Sequence, residues 1–235
     1  MDLGISYAQT ENPINSVLIH TEGTLGQRLI SLLNARGVNT LFQQNPSKTP
    51  WKAEEIEAFM QKVIQFSKQN GGLNSFVYLL PILSRDTIFD KKLSDDWSLA
   101  MDYLREAFLF YRQATKLLVS QRQGCLMTVA FGIGARGHEN MISMSVVAEA
   151  IAGMNTCLTS EVMKQNVRVN TLYYGLIEEA DYDPETRQGL HHFCKLLEIP
   201  RVGHAEDIAT WIHLLSTEEG GFINGQVIKI NGGLL

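Results

Sequence analysis

The sequence has little cysteine and no cysteine motif. Its 235 residues include three cysteines, Cys125, Cys157 and Cys194, and no CxxC pair. An odd, unclustered set argues against a disulfide framework and against a cysteine-based metal site, and it suits a reducing compartment. We therefore predict a cytoplasmic protein.

Long apolar runs and basic runs are also lacking. No uninterrupted apolar segment approaches the ~18 residues that suggest a membrane span. The polar N-terminal segment MDLGISYAQTENP lacks the basic start and apolar centre of a signal peptide. The formal net charge is −5, and Lys and Arg do not cluster. We predict no membrane partner and no nucleic-acid partner.

Short apolar segments alternate instead with segments of helical periodicity. The predicted strands are SVLIH, NTLF, FVYLL, CLMTVAF, VRVNTL and QVIKI, and the clearest predicted helices are residues 53–69, 95–121, 141–165 and 205–215. Strands that are apolar throughout and alternate with helices predict a parallel sheet covered on both faces. Because no linker or repeat interrupts the pattern, we predict one domain over residues 1–235.

Four segments resemble the short-chain dehydrogenase/reductase family in their order and spacing. They are GCLMTVAFG at 124–132, VRVNTLYYG at 167–175, RVGHAEDIATWIHLLS at 201–216 and FINGQVIKINGG at 222–233. The resemblance implies a Rossmann-like, doubly wound α/β fold. Only residues 43–75 separate the second predicted strand from the next, so we expect the sheet to be shortened between the family's second and fourth strands.

The resemblance also implies four catalytic groups, a Tyr, a Lys, a Ser and an Asn that together move a proton. Counting along the family's spacing places the Asn at Leu104, the Ser at Phe131, the Tyr at Met144 and the Lys at Ala148. General acid–base catalysis needs a transferable proton, and these four side chains have none. We therefore predict no catalytic residues in this chain.

The family's cofactor-binding pattern is altered as well. Its glycine-rich first turn aligns with His20, Thr24 and Gly26, and a Cβ at the first two positions would crowd a pyrophosphate. Gln43 and Gln44 stand where a charged residue would select NAD or NADP, and Tyr174 replaces a proline at the nicotinamide wall. We expect this chain to bind no dinucleotide, and we expect NAD(P) in a partner subunit.

Two other motifs carry weaker implications. Residues 132–137 satisfy GxGxxG, but the next predicted helix begins only near Met141, so a loop is favoured over a phosphate cradle. His191, His192 and Cys194 lack a fourth ligand, and adjacent helical residues point about 100° apart. We predict no metal site.

The resemblance implies that helices 95–121 and 141–165 form a subunit interface. These helices stay recognisable in the sequence, whereas the catalytic residues do not. We hypothesise a catalytically inactive subunit that supports an active NAD(P)-dependent alcohol dehydrogenase or ketoreductase subunit of the same family, with an acyl-CoA as a candidate substrate. The alcohol dehydrogenase of the benzylsuccinate pathway is similar in having one intact and one degenerate subunit. Contact is expected through helices 95–121 and 141–165 and the C-terminal segment.

Two alternatives remain open. The chain could form a homo-oligomer that binds an apolar or acyl ligand in the emptied pocket. It could also be an enzyme with different chemistry, using His20 or His138.

Overall fold

The fold is known from a computed structural model that describes residues 13–20, 23–44, 49–83, 87–89, 93–132, 139–178, 184–195 and 197–233, without the side chains of residues 93, 185–187, 191 and 193. In these ranges six strands form a parallel sheet in the order β2-β1-β3-β4-β5-β6. The strands are β1 (Ile14–Ile19), β2 (Val38–Gln43), β3 (Ser75–Leu79), β4 (Cys125–Phe131), β5 (Arg168–Tyr174) and β6 (Val227–Ile230).

Helices cover both faces of this sheet. They are α1 (Gly23–Ala35), α2 (Ala53–Gln69), α3 (Leu93–Gln121), α4 (Ile142–Val162), α5 (Pro184–Cys194) and α6 (Ala205–Ser216), and a turn of 3₁₀ helix, Met163–Gln165, follows α4. The core on one face contains residues of α2, α3 and α4, and the core on the other contains residues of α1 and α6. Along β1, Val17 and Ile19 belong to the first core and Leu18 to the second. This alternation explains why the strand is apolar at successive positions.

The predicted fold class is confirmed. The predicted helix 95–121 begins two residues earlier, at Leu93, and the strand Cys125–Phe131 has the predicted bounds. Helix α5 was not predicted, because PETRQGLHHFC carries no clear apolar stripe.

The stretch Ile142–Gln165 is long and apolar enough, by length and composition, to meet a membrane-span criterion. Val147 and Ile151 of α4 are fully buried against the sheet. A core helix meets the same criterion, so this finding carries no membrane assignment.

Candidate functional site

The winding of the sheet reverses between β1 and β3. Strand β1 pairs with β2 on one side and with β3 on the other, while β3 leads on to β4. Open α/β sheets bind ligands at such a switch point, outside the carboxyl ends of the strands. Helix α1 begins there at Gly23, whose φ is +74° and around which a Cβ would meet nothing within 4 Å. The backbone N–H groups in the first turn of α1 are thus not blocked by a side chain at Gly23. A helix N-terminus at this place in the fold favours the binding of an anion.

His20 directly follows β1 at this edge, but its ring turns into the core. The residue has φ 57° and is 4% exposed. The ring bonds the carboxylate of Glu106 on α3 and makes edge contacts with Tyr78 and Tyr103, with centroids 5.3 and 5.8 Å away. The imidazole therefore does not occupy the edge at which α1 begins.

Glu106 is the centre of a buried polar cluster. Tyr78 donates its hydroxyl to Glu106 Oε1 at 2.7 Å, and the Trp51 backbone N–H donates to Oε2 at 2.6 Å. Burial, followed by the charge of Glu106, raises the pKa of Tyr78 well above its ordinary value, so the phenol keeps its proton. The sequence analysis missed Glu106. The sequence did contain an indication of this cluster. Glu106 lies among Tyr103, Ala107 and Phe110 on the apolar face of a helix, and a carboxylate at such a position is buried only when it is paired.

The four positions assigned from the family's spacing all lie in or against one large hydrophobic core. Met144 and Ala148 of α4 are 2% and 1% exposed, and Phe131 and Leu104 pack against the same core. The Phe131 ring lies 5.6 Å from that of Tyr174. We refer to Leu104, Phe131, Met144 and Ala148 as the apolar patch.

A phenol lies against this patch. Tyr173 belongs to the same core, and its hydroxyl donates to the Ala148 carbonyl at 3.0 Å and to Glu149 Oε1 at 3.3 Å. Burial first, and the Glu149 charge second, raise the pKa of Tyr173 above its ordinary value. The hydroxyl therefore holds its proton at neutral pH. Sequence spacing missed Tyr173, since the family's tyrosine is expected on the helix rather than on the strand.

The other residues singled out from the sequence add little to the candidate site. Gln43 donates its amide to the Gln44 carbonyl. His138 and most of the GxGxxG segment lie outside the described residues, as does the side chain of His191. Within the described part of the chain no group of three His, Cys, Asp or Glu side chains could hold a metal ion.

Comparison with known proteins decides the family. A family profile described as enoyl-(acyl carrier protein) reductase matches residues 51–235. The chain belongs to the short-chain dehydrogenase/reductase family. A 3-oxoacyl-[acyl-carrier-protein] reductase of Thermotoga maritima is 24% identical over 183 residues, which cover 77% of this chain and 73% of that protein.

Solved structures of the family show the same fold. ElxO with NADP bound superimposes with a TM-score of 0.80 at 16% identity, covering 94% of this chain and 98% of that one. A short-chain type dehydrogenase/reductase from Mycobacterium ulcerans gives a TM-score of 0.81 at 19% identity, covering 94% and 90%.

These comparisons contradict two expectations. The hypothesis of a catalytically inactive subunit was wrong, because this short-chain dehydrogenase/reductase matches proteins named as reductases. The expectation that the chain binds no dinucleotide was wrong as well, because structural relatives are described with NADP or NADPH bound.

Proposed function

We propose that this chain is an NADP(H)-dependent oxidoreductase that reduces the ketone of a 3-oxoacyl thioester. The observation that carries the proposal is the family match over residues 51–235, together with a relative named 3-oxoacyl-[acyl-carrier-protein] reductase. The parallel sheet, with α1 beginning at its switch point, supports the same assignment.

The residues at the switch point fit a dinucleotide at its phosphate end. The backbone of Gly23 is open, and the first turn of α1 itself contains no acidic residue, although Glu22 precedes it directly in the sequence. We assign phosphate binding to this turn. When bound, NADPH supplies the hydride that the ketone carbon accepts.

The apolar patch would contribute by excluding water. Hydrocarbon and thioether side chains around the reacting carbonyl lower the local dielectric and strengthen any dipole that acts on it. They cannot supply the proton that the reduced oxygen requires. We assign that proton to Tyr173 Oη, which lies against the patch, with Glu149 as the group that holds the phenol in place.

The test begins with the purified full-length chain. NADPH binding is measured by calorimetry, and turnover by the loss of NADPH absorbance with acetoacetyl thioester as substrate. Removing a general acid typically costs about a hundredfold or more in rate. We therefore expect Tyr173→Phe to lower kcat by about a hundredfold while leaving the affinity for NADPH unchanged.

The matched control is Tyr111→Phe. Tyr111 is equally buried, but its hydroxyl bonds Thr128, beneath α4. This variant should lose stability and keep its kcat. A chain that neither binds NADPH nor oxidises it in the presence of the thioester would overturn the proposed function, and a Tyr173→Phe variant with full kcat would overturn the role of the phenol.

We also propose that another subunit of the family docks on α3, α4 and the C-terminal segment. Phe108 on α3 is 52% exposed and lines a groove of about 290 Å³ with Met154, Cys157 and Leu158 of α4. Val227 of the edge strand β6 is 44% exposed. Exposed apolar side chains beside a groove are typical of subunit contacts. A cytoplasmic location remains part of the proposal, supported by the three free cysteines.

A further inference from the structure

His20 adopts a backbone conformation that L-residues disfavour. In the described ranges, four non-glycine residues have positive φ, namely His20, Arg122, Asn140 and Asn166. Arg122, Asn140 and Asn166 are exposed, whereas His20 is buried. A buried left-handed histidine persists only where its surroundings hold it.

The Glu106 cluster provides that restraint. One carboxylate accepts bonds from the His20 ring just after β1, the Tyr78 hydroxyl on β3 and the Trp51 N–H before α2. Each oxygen has a donor, so the buried charge is compensated from three parts of the fold. Edge contacts of Tyr78 and Tyr103 fix the remaining orientation of the imidazole.

The restrained residue lies just ahead of the first turn of α1. Helix α1 begins at Gly23, three residues after His20. Only two residues join His20 to Gly23, so a fixed His20 limits where the first amides of α1 can stand relative to β1. A preorganised anion site loses less ordering entropy when its ligand binds, so a turn held in place binds more tightly than a loose one.

We propose that His20 and Glu106 are positioning residues for the dinucleotide phosphates, and that their contact takes the place of the glycine that opens this turn in the family. This inference rests on the proposed function. It opposes the steric interpretation, in which the Cβ of His20 crowds the phosphates. The two interpretations predict opposite effects of His20→Gly on the affinity for NADPH.

The test uses His20→Gly and Glu106→Gln in the full-length chain, with NADPH affinity measured by calorimetry. Loss of the restraint in His20→Gly should weaken NADPH binding by about tenfold. The isosteric Glu106→Gln should also weaken NADPH binding. Amide hydrogen exchange, measured without NADPH, should become faster in the first turn of α1. The steric interpretation requires tighter binding by His20→Gly.

The control is Arg122→Gly, which relieves the same left-handed backbone in an exposed turn between α3 and β4. It should change neither NADPH affinity nor exchange in α1. If His20→Gly does not fold, Glu106→Gln carries the test, and unchanged affinity there overturns the inference.

The outcomes separate the two proposals. Equal or tighter NADPH binding by the variants, with binding by the unaltered protein, overturns the positioning role and leaves the proposed function standing. Absence of NADPH binding by the unaltered protein overturns both.

Discussion

At the scale of single residues, Asp207 shows how one carboxylate can stabilise the start of a helix. Arg201 donates to both of its oxygens at 2.8 Å, and the His204 N–H donates to Oδ2 at 2.8 Å. His204 is the N-cap of α6 and Asp207 its N3 residue, so the carboxylate completes a capping box. The hydrogen bonds from Arg201, ahead of that from His204, lower the pKa of Asp207.

Asp207→Asn should therefore destabilise the protein at neutral pH. Because the folded pKa lies below the unfolded one, the stabilisation is present above the ordinary Asp range and is lost as the pH falls through the folded pKa. The side chain is 30% exposed, so we expect only about 1 kcal/mol at pH 7. Urea unfolding at pH 7 and at acidic pH measures the difference.

Glu206→Gln is the control for this prediction. Glu206 also lies in the first turn of α6, but its bond to Arg28 joins side chains that are 45% and 43% exposed. We expect a smaller loss there. A pH-independent difference between Asp207→Asn and the unaltered protein would contradict the assignment.

At the scale of secondary-structure elements, one amide of α4 bonds two strands of the sheet. Asn155 is 4% exposed, and its Nδ2 donates to Thr128 of β4 at 2.8 Å and to Thr171 of β5 at 2.9 Å. The rest of the buried face of α4 is apolar except for Ser143. This pair of bonds fixes the rotation of α4, and hence the place of Met144 and Ala148 over the strand ends.

We expect Asn155→Ala to cost about 2 kcal/mol, since it leaves two buried hydroxyls without their donor and removes packed atoms. Thermal and urea unfolding measure the loss. Thr156→Ala, one residue along on the exposed side of α4, should cost much less. Equal losses in the two variants would show that the amide does not hold the helix.

The same element shows what sequence can predict and what it cannot. The bounds of β4 follow from seven consecutive apolar or small residues. The assignment of Phe131, Met144 and Ala148 to the family's catalytic positions stays a prediction, although all three lie in or against one core. The direction of the His20 ring was beyond prediction, because Glu106 lies 86 positions away and only the tertiary fold brings the two side chains together. Tyr173 was missed for a related reason, since it reaches α4 from a neighbouring strand.

At the scale of the whole molecule, the proposed subunit contact rests on the groove between α3 and α4, where Phe108 is 52% exposed. The groove between α3 and α4 is lined by Phe108, Tyr111, Arg112, Thr115, Met154, Cys157, Leu158 and Glu161. It lies on the side of these helices that faces away from the sheet. A facing pair of helices from another subunit would bury Phe108 and fill the groove, while Arg112 and Glu161 offer charges at its rim.

Phe108→Glu should therefore weaken assembly. A buried aromatic anchor commonly contributes about 2 kcal/mol to an interface, so the subunit dissociation constant should rise by roughly thirtyfold. Sedimentation velocity across a concentration series measures this shift. Phe42→Glu is the matched control, because Phe42 is similarly exposed, at 43%, but lies on β2 at the opposite edge of the sheet from β6. If the unaltered chain is monomeric throughout the series, or if both variants dissociate equally, α3 and α4 do not form the contact.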